Sequence, residues 1–387
     1  MKKSFIKVLG GVAFASMMLT ACGGSNPAAN NTKFFVGVTG PLTGGAASYG
    51  LGVKNGAQMA IDEINAAGGL NGILFDFEAM DDQLEASKAG QNYTALYEKG
   101  MQMSLGGVTS GACLEFAKYA AQDGVFCLTP SATNDAVPTN LNTYQMCFSD
   151  SGQGTAAANY IKDNYSDRTI GVFYDSSDAY SKGIYDNFVA LFDGDFTAAA
   201  FTSDNKTNFT AQINTLKNAN VDFVFMPIYY SEAALFIQQA SQADAFSADT
   251  VYYGCDGLDG IEGVDGFDPY SYDQEISYLS HFNKSSTNPA VQEFVTKYTN
   301  TYEATTLNQF GAAAYDCIYA MYEAMEFYCE ANNTNIAANI SASELCTILN
   351  SVFADEEFSF SGVTGTDITW NADRTVDKDA TKYVVNG

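Results

Sequence analysis

Positive charge is scarce in this chain: 18 Lys and Arg stand against 45 Asp and Glu, a formal net charge of −27 over 387 residues. That balance argues against nucleic acid, where phosphate neutralisation needs clusters of lysine and arginine. It argues equally against electrostatic adhesion to anionic lipid. Histidine is reduced to His281. A Ser-His-Asp triad would have to use it, and no G-x-S-x-G elbow precedes any serine. No CxxC or Cys/His ligand spacing occurs, which excludes the usual zinc patterns. Nothing resembles a Walker A loop, so the chain does not itself hydrolyse ATP through that device. Beyond the N-terminus no hydrophobic stretch is long and charge-free enough to span a bilayer.

What the N-terminus does have is an export pattern. Lys2, Lys3 and Lys7 precede the short apolar core Val8 to Leu19, and Leu19-Thr20-Ala21-Cys22 then matches a bacterial lipobox. A core of that length is too short for a stable span, so residues 1–21 read as a cleaved signal peptide. Cys22 is the expected lipidation site, its thiol being the alkylatable group. Residues 22–32 form a polar tether. Cleavage leaves 15 basic residues against 45 acidic ones, so the link to the membrane is expected through lipid alone. The roughly 355 residues beyond the tether usually build more than one core, so two lobes are expected.

From residue 34 onward strand-like and helix-like segments alternate. Apolar strands are expected near Phe34–Val38, Leu74–Met80, Met103–Val108, Val125–Thr129, Thr169–Tyr174, Val221–Ile228 and Val251–Cys255. Helices between them include Leu84–Lys99, Leu114–Gln122, Tyr180–Phe192, Phe209–Ala219 and Glu232–Ala243. Such βαβ alternation predicts parallel sheets with helices on both faces. Phe148 to Ala156 (FSDSGQGTA) interrupts the pattern and reads as a first crossover between lobes. Later come a strand near Ile276–Phe282, helices at Ala290–Tyr302, Phe310–Ala331 and Ser341–Phe353, and short strands at Asp367–Trp370 and Lys382–Val385.

The stretch Val36 to Gly72 is the most specific. It reads as a buried strand, a loop with Gly40, Pro41, Gly44 and Gly45 ending in Tyr49-Gly50, and a helix whose Val53, Ala57, Ala60, Ile61 and Ile64 make one apolar stripe before Gly68-Gly69. Open α/β sheets place ligands where such strand ends open into helices. Other strand ends carry residues suited to a small zwitterion: Ser110; Ser131, Ala132 and Thr133; Tyr180; Tyr229; and Asp256. Helix N-termini with hydroxyls suit a carboxylate. Asp256 would pair with an ammonium, and Tyr49, Tyr180 and Tyr229 would enclose the rest. Taken singly, a serine at a helix start is more often an N-cap, and an Asp near glycines a turn residue. It is their recurrence at successive strand ends that favours binding. Asp81-Asp82 are read as fixing a loop rather than as paired catalytic carboxylates.

This wording closely resembles the start of the ABC-transporter amino-acid-binding proteins of the leucine/isoleucine/valine type, and the resemblance continues along nearly the whole mature chain. It implies the two-lobed type I periplasmic-binding-protein fold, α/β, each lobe a mostly parallel sheet with helices on both faces, joined by three crossovers. Residues 33–149 and 283–362 are then expected in lobe 1, and 150–282 and 363–387 in lobe 2. The resemblance also places Ser110, Ser131 to Thr133, Tyr180, Tyr229 and Asp256 at α-amino-acid contacts. Asp256 stands where many relatives have glutamate, and Ser131 where alanine or glycine is frequent. A further contact is expected near Leu307–Phe310.

The resulting expectation is an exported, lipid-anchored capture protein of an ABC importer, on the outer face of the cytoplasmic membrane (periplasmic where an outer membrane exists). It would be a monomer without cofactor or catalysis that binds a branched-chain or other neutral aliphatic amino acid and delivers it to a permease whose ATPase is a separate cytoplasmic polypeptide. An amide, urea or aromatic acid as ligand, or a sensor role with a signalling partner, are the alternatives. Seven cysteines remain after Cys22; Cys329 and Cys346 are the candidate disulfide pair, with buried apolar thiols as the other reading.

Overall fold

The structure, a computed structural model, describes residues 26–378 and 380–387; the signal peptide and Cys22 lie outside them. Its first sheet is built from β1 (Phe34–Gly40), β2 (Phe75–Asp81), β3 (Met103–Gly107), β4 (Phe126–Thr129) and β5 (Thr143–Gln145), in the order β2-β1-β3-β4-β5. Every pairing in it is parallel. Helices α1 (Ala47–Ala66), α2 (Ala86–Glu98) and α3 (Ser110–Asp123) connect these strands. β1 is an interior strand, between β2 and β3, and all seven of its residues are buried, as expected of a strand covered on both faces.

The chain then enters α4 (Asp150–Asn164) and a second sheet: β6 (Ile170–Asp175), α5 (Ala179–Leu191), β7 (Phe196–Phe201), α6 (Thr210–Asn218), β8 (Phe223–Met226), α7 (Tyr230–Gln242), β9 (Val251–Gly254) and β10 (Glu275–Ser280). It returns through α8 (Pro289–Thr301), α9 (Gln309–Asn332) and α10 (Ala342–Phe353), which pack on α1 and on β3 and β4 of the first sheet. Finally β11 (Thr381–Val384) pairs antiparallel to β10 on the edge of the second sheet, whose order is β11-β10-β9-β8-β6-β7. Apart from β11, both sheets have one winding: the first strand of each lies between the second and the third. That reversal is the switch point at which doubly wound sheets open a crevice at their strands' C-terminal ends.

Close backbone packing joins the two sequence-distant parts of the first lobe. A Cβ on Gly56 of α1 would sit 2.0 Å from the Gly311 carbonyl oxygen of α9. Only glycine allows these helices to approach so far.

Several expectations are corrected. α1 begins at Ala47, so Tyr49 and Gly50 belong to its first turns rather than to the loop; nothing in Ala46-Ala47-Ser48 breaks a helix. The glycine-rich segment after Phe148 is the start of α4, capped by Ser149, which accepts from Gly152 N at 3.1 Å. The crossover is the short link Met146–Ser149. β5 and β7, absent from the sequence reading, complete the two sheets. Asp367–Trp370 makes only isolated bridges, Phe360 with Ile368 and Trp370 with Val376.

Residues beyond 363 keep contacts with elements of the first sheet. Trp370 packs on Phe353 at 4.3 Å and donates from Nε1 to the Gln145 carbonyl at 2.9 Å. Gln145 N in turn donates to the Arg374 carbonyl at 3.0 Å. These contacts hold residues 370–374 against first-sheet elements, and the chain joins the second sheet only with β11.

Cys329 and Cys346 form no disulfide; all seven described cysteines are free and buried. They face apart. Cys329 looks toward Asn71 and Ile336, whereas Cys346 accepts from Asn350 Nδ2 at 3.3 Å and lies on the side of Cys127.

Candidate functional site

The two switch points meet. Tyr49 follows β1 and Ser110 follows β3 in the first sheet; Tyr180 follows β6 and Tyr229 follows β8 in the second. Together with Val108, Thr109, Ser131, Asp256, Gly257 and Phe310 they line one cavity. It leaves about 20 Å³ in which the centre of a water molecule can lie, room for roughly one water. Six sequence-selected residues thus share a wall: Tyr49, Ser110, Ser131, Tyr180, Tyr229 and Asp256.

Ala132 and Thr133 are adjacent but turned to other partners. The Ala132 amide donates to Thr129 Oγ1 at 3.1 Å, and the Thr133 hydroxyl donates to Asp150 Oδ1 at 2.6 Å. Ser131 does not offer a free hydroxyl either, because its Oγ donates to the Val108 carbonyl at 2.6 Å. Val108, Thr109, Gly257 and Phe310 were not singled out from sequence. Phe310 lies in the stretch where a further contact is expected, and Thr109 is the residue before Ser110.

Asp256 is the sole carboxylate on the cavity wall, at the end of β9 and 1% exposed. Its Oδ1 accepts from the Tyr180 hydroxyl at 2.7 Å, while its Oδ2 is buried without a partner. Burial pushes its carboxyl up to about 7, against the opposing pull of the Tyr180 hydrogen bond. Burial likewise holds the Tyr49, Tyr180 and Tyr229 hydroxyls well above the ordinary phenol range, so they stay protonated. The Tyr229 hydroxyl is buried without a partner.

Opposite this acid, Ser110 opens α3, whose cap Thr109 makes no side-chain capping bond. First-turn amides have no acceptor within their helix, so this end of α3 presents donors and a partial positive charge to the cavity.

The lobes touch directly. The Tyr49 hydroxyl donates to the Gly257 carbonyl and accepts from Tyr230 N at 3.3 Å. Ser48 N donates to the Tyr230 hydroxyl at 3.1 Å, and Gln309 N to Asp259 Oδ2 at 2.9 Å. The Tyr49 ring meets Phe310 edge-on at 5.1 Å, and Tyr180 stacks on Tyr229 at 5.0 Å. This is a closed cleft.

Two other sequence candidates have settled partners elsewhere. Asp81 accepts from Leu42 N, Gln83 N and Thr43 Oγ1, and Asp82 from Leu84 N and Thr39 Oγ1, so both fix the loops at their strand ends. His281 is buried, and neither ring nitrogen has a hydrogen-bond partner. Burial holds its pKa well below the usual imidazole value, and no triad forms around it.

Two doubly wound lobes closing on a small polar and aromatic cavity define a solute-binding protein of the type I periplasmic fold. The chain belongs to the periplasmic binding protein family, which matches residues 33–361. It is 34% identical to the Leu/Ile/Val-binding protein BraC3 of Rhizobium johnstonii over 229 residues, 58% of this chain and 61% of that protein. The match therefore spans less than two thirds of that curated relative's length. The branched-chain amino acid transporter substrate binding protein LivJ of Streptococcus pneumoniae, solved with isoleucine, superposes with a TM-score of 0.78 at 26% identity, covering 92% of this chain and 96% of that one. A solute binding protein of R. palustris in complex with benzoate shares the fold at a TM-score of 0.73 and 18% identity, over 90% of this chain and 92% of that one.

Proposed function

We propose that the protein captures a free amino acid, of branched-chain or other neutral aliphatic type, and presents it to the permease of an ABC importer whose ATPase is a separate polypeptide. The observation that carries this reading is the pairing of Asp256, a lone buried acid on one lobe, with the uncapped N-terminus of α3 and Ser110 on the other. An α-ammonium would take the free Asp256 oxygen and an α-carboxylate the α3 donors, so a zwitterion would bridge the lobes and favour their closure. The remaining wall, Val108 and four aromatic rings, suits an apolar side chain. The present cavity is too small for any amino acid, so entry requires the lobes to part as hinged bodies. Binding without turnover is the role assigned, since the protonated tyrosines and one acid offer no activated nucleophile.

A second reading, an aromatic acid, is favoured by the same rings and by the benzoate complex of the R. palustris protein. A neutral Asp256 could donate a hydrogen bond to such a ligand's carboxylate. Calorimetry with leucine, isoleucine, valine, a wider amino-acid panel, urea and benzoate tests both; heat from benzoate alone would replace the first reading with the second. Lipid attachment at Cys22 is part of the proposal. In Cys22→Ser ligand binding should persist while the protein leaves the membrane fraction, and retention there would refute the anchor.

A further inference from the structure

Gln153 does not line the cavity, yet it is fully buried behind Asp256. Its Oε1 accepts from the Asp256 backbone N at 3.0 Å. Its Nε2 is buried without an acceptor, and the Asp256 Oδ2 is buried without a donor. A buried orphan donor costs free energy unless some state of the protein satisfies it, and a complementary orphan acceptor belongs to the very residue the other end of Gln153 grips.

The helix behind Gln153 is fixed at both ends of the site. Asp150, three residues earlier and therefore on the same side of α4, accepts from the Thr133 hydroxyl at 2.6 Å and from Asn134 Nδ2 at 3.0 Å, both in the loop after β4. One turn of α4 thus holds a first-lobe loop with Asp150 and the second-lobe acid with Gln153. At Gly154 a Cβ would lie 2.9 Å from Phe188 N, so α4 packs tightly on α5, the helix that carries Tyr180. Tyr180 and Gln153 flank Asp256 from two locked helices.

We infer that Gln153 is a positioning residue: it sets the orientation of Asp256 through the backbone and supports its ionised carboxylate through the side-chain amide. The groups that act on Asp256 are Tyr180 on α5, Asp150 on α4, Asp259 and Cys255 on its own segment, Cys147 in the first crossover and Tyr49 on α1. None is a cation, so hydrogen-bond donors are what make the charged form attainable: the Tyr180 hydroxyl supplies one, and the unpaired Gln153 Nε2 is a second donor held beside Asp256 by the Oε1 bond.

The inference rests on the proposed amino-acid reading only for its affinity arm; its main test needs no ligand. Aspartate Cγ resonances of the ligand-free mature protein, selectively ¹³C-labelled, are titrated by NMR, with Asp256→Asn assigning the signal. In Gln153→Met, which keeps the volume and removes the amide, the Asp256 midpoint should rise by about half to one pH unit. In Gln153→Glu, which keeps an acceptor for the Asp256 amide but adds a like charge, it should rise further. Amino-acid affinity at pH 7 should fall about two- to fivefold in Gln153→Met and further in Gln153→Glu. A midpoint equal to wild type in either folded variant overturns the inference. A shifted midpoint together with unchanged binding in Asp256→Asn would leave Gln153 in its role and remove Asp256 as the ligand's anchor.

Discussion

The Tyr180 hydroxyl donates to Asp256 Oδ1 at 2.7 Å and accepts from the neighbouring Gly257 N at 2.8 Å. One phenol thereby fixes both the carboxylate and the turn that carries it, and leaves the second oxygen of Asp256 without a partner. If that oxygen receives an ammonium, Asp256→Ala should weaken amino-acid binding by about 2–5 kcal/mol, because the buried cation loses its counter-charge. Calorimetry measures this directly, and an unchanged affinity would remove Asp256 from the ligand.

The same acid should work against stability when no ligand is present. Its folded-state pKa lies near 7, above its unfolded value. The folded protein then holds the proton more tightly, so this contribution to stability is present at low pH and is lost as pH rises through about 7. Asp256→Asn, which cannot ionise, should therefore melt higher than wild type at pH 8, by an amount worth about 1–4 kcal/mol. The two should converge near pH 4. A lower melting point for the variant at pH 8 would contradict the assigned pKa.

Binding should carry the opposite sign for the two ligand classes. An ammonium selects the ionised acid, so amino-acid affinity should climb about tenfold per pH unit between pH 5 and 7 and level off above. An aromatic carboxylate would select the protonated acid, and its affinity should fall over the same range. Titrations at pH 5, 6, 7 and 8 separate the cases, and a flat profile for the bound ligand would exclude Asp256 from either.

Tyr49 reaches from α1 to two backbone groups of the other lobe, the Gly257 carbonyl and Tyr230 N. Tyr49→Phe keeps the ring against Phe310 and loses both bonds, which should weaken the closed arrangement by about 0.5–1.5 kcal/mol per bond. Small-angle scattering of the ligand-free protein should then show a larger radius of gyration than wild type. Identical profiles would mean that the hydroxyl contributes nothing to closure.

Gly56→Ala should damage packing rather than binding chemistry. The added methyl would collide with the Gly311 carbonyl of α9, and overpacking of this kind costs about 1–3 kcal/mol or more. A thermal melt should show the loss, while an undiminished melting temperature would mean that α1 and α9 can move apart freely.

The two-lobed winding was legible because the central strands are continuous apolar runs: Phe34–Val38 and Val221–Ile228 bury whether their helices lie above or below. β5 and β7 were not. Thr143–Gln145 is too short to show a pattern, and Phe196–Phe201 owes its pairing to Ala198, Ala199 and Ala200, which carry little strand preference. Tyr49, Ser110, Tyr180, Tyr229 and Asp256 could be read because each follows a strand. Ser131, Ala132 and Thr133 were read for position, but their bonds run to Val108, Thr129 and Asp150. The Thr133–Asp150 bond depends on how α4 leaves the first sheet, which local sequence does not encode. Gln153 joins the site only through three-dimensional packing, and the absence of a Cys329–Cys346 bond follows from the divergent directions of two thiols on neighbouring helices.

The return of α9 and α10 to strands laid down some two hundred residues earlier has a consequence for synthesis. When residue 145 has left the ribosome every strand of the first sheet exists, but the faces later covered by residues 309–353 stay bare until the nascent chain is nearly finished. No contiguous gene fragment encodes the first half with its cover, so a truncated product would expose aggregation-prone surface.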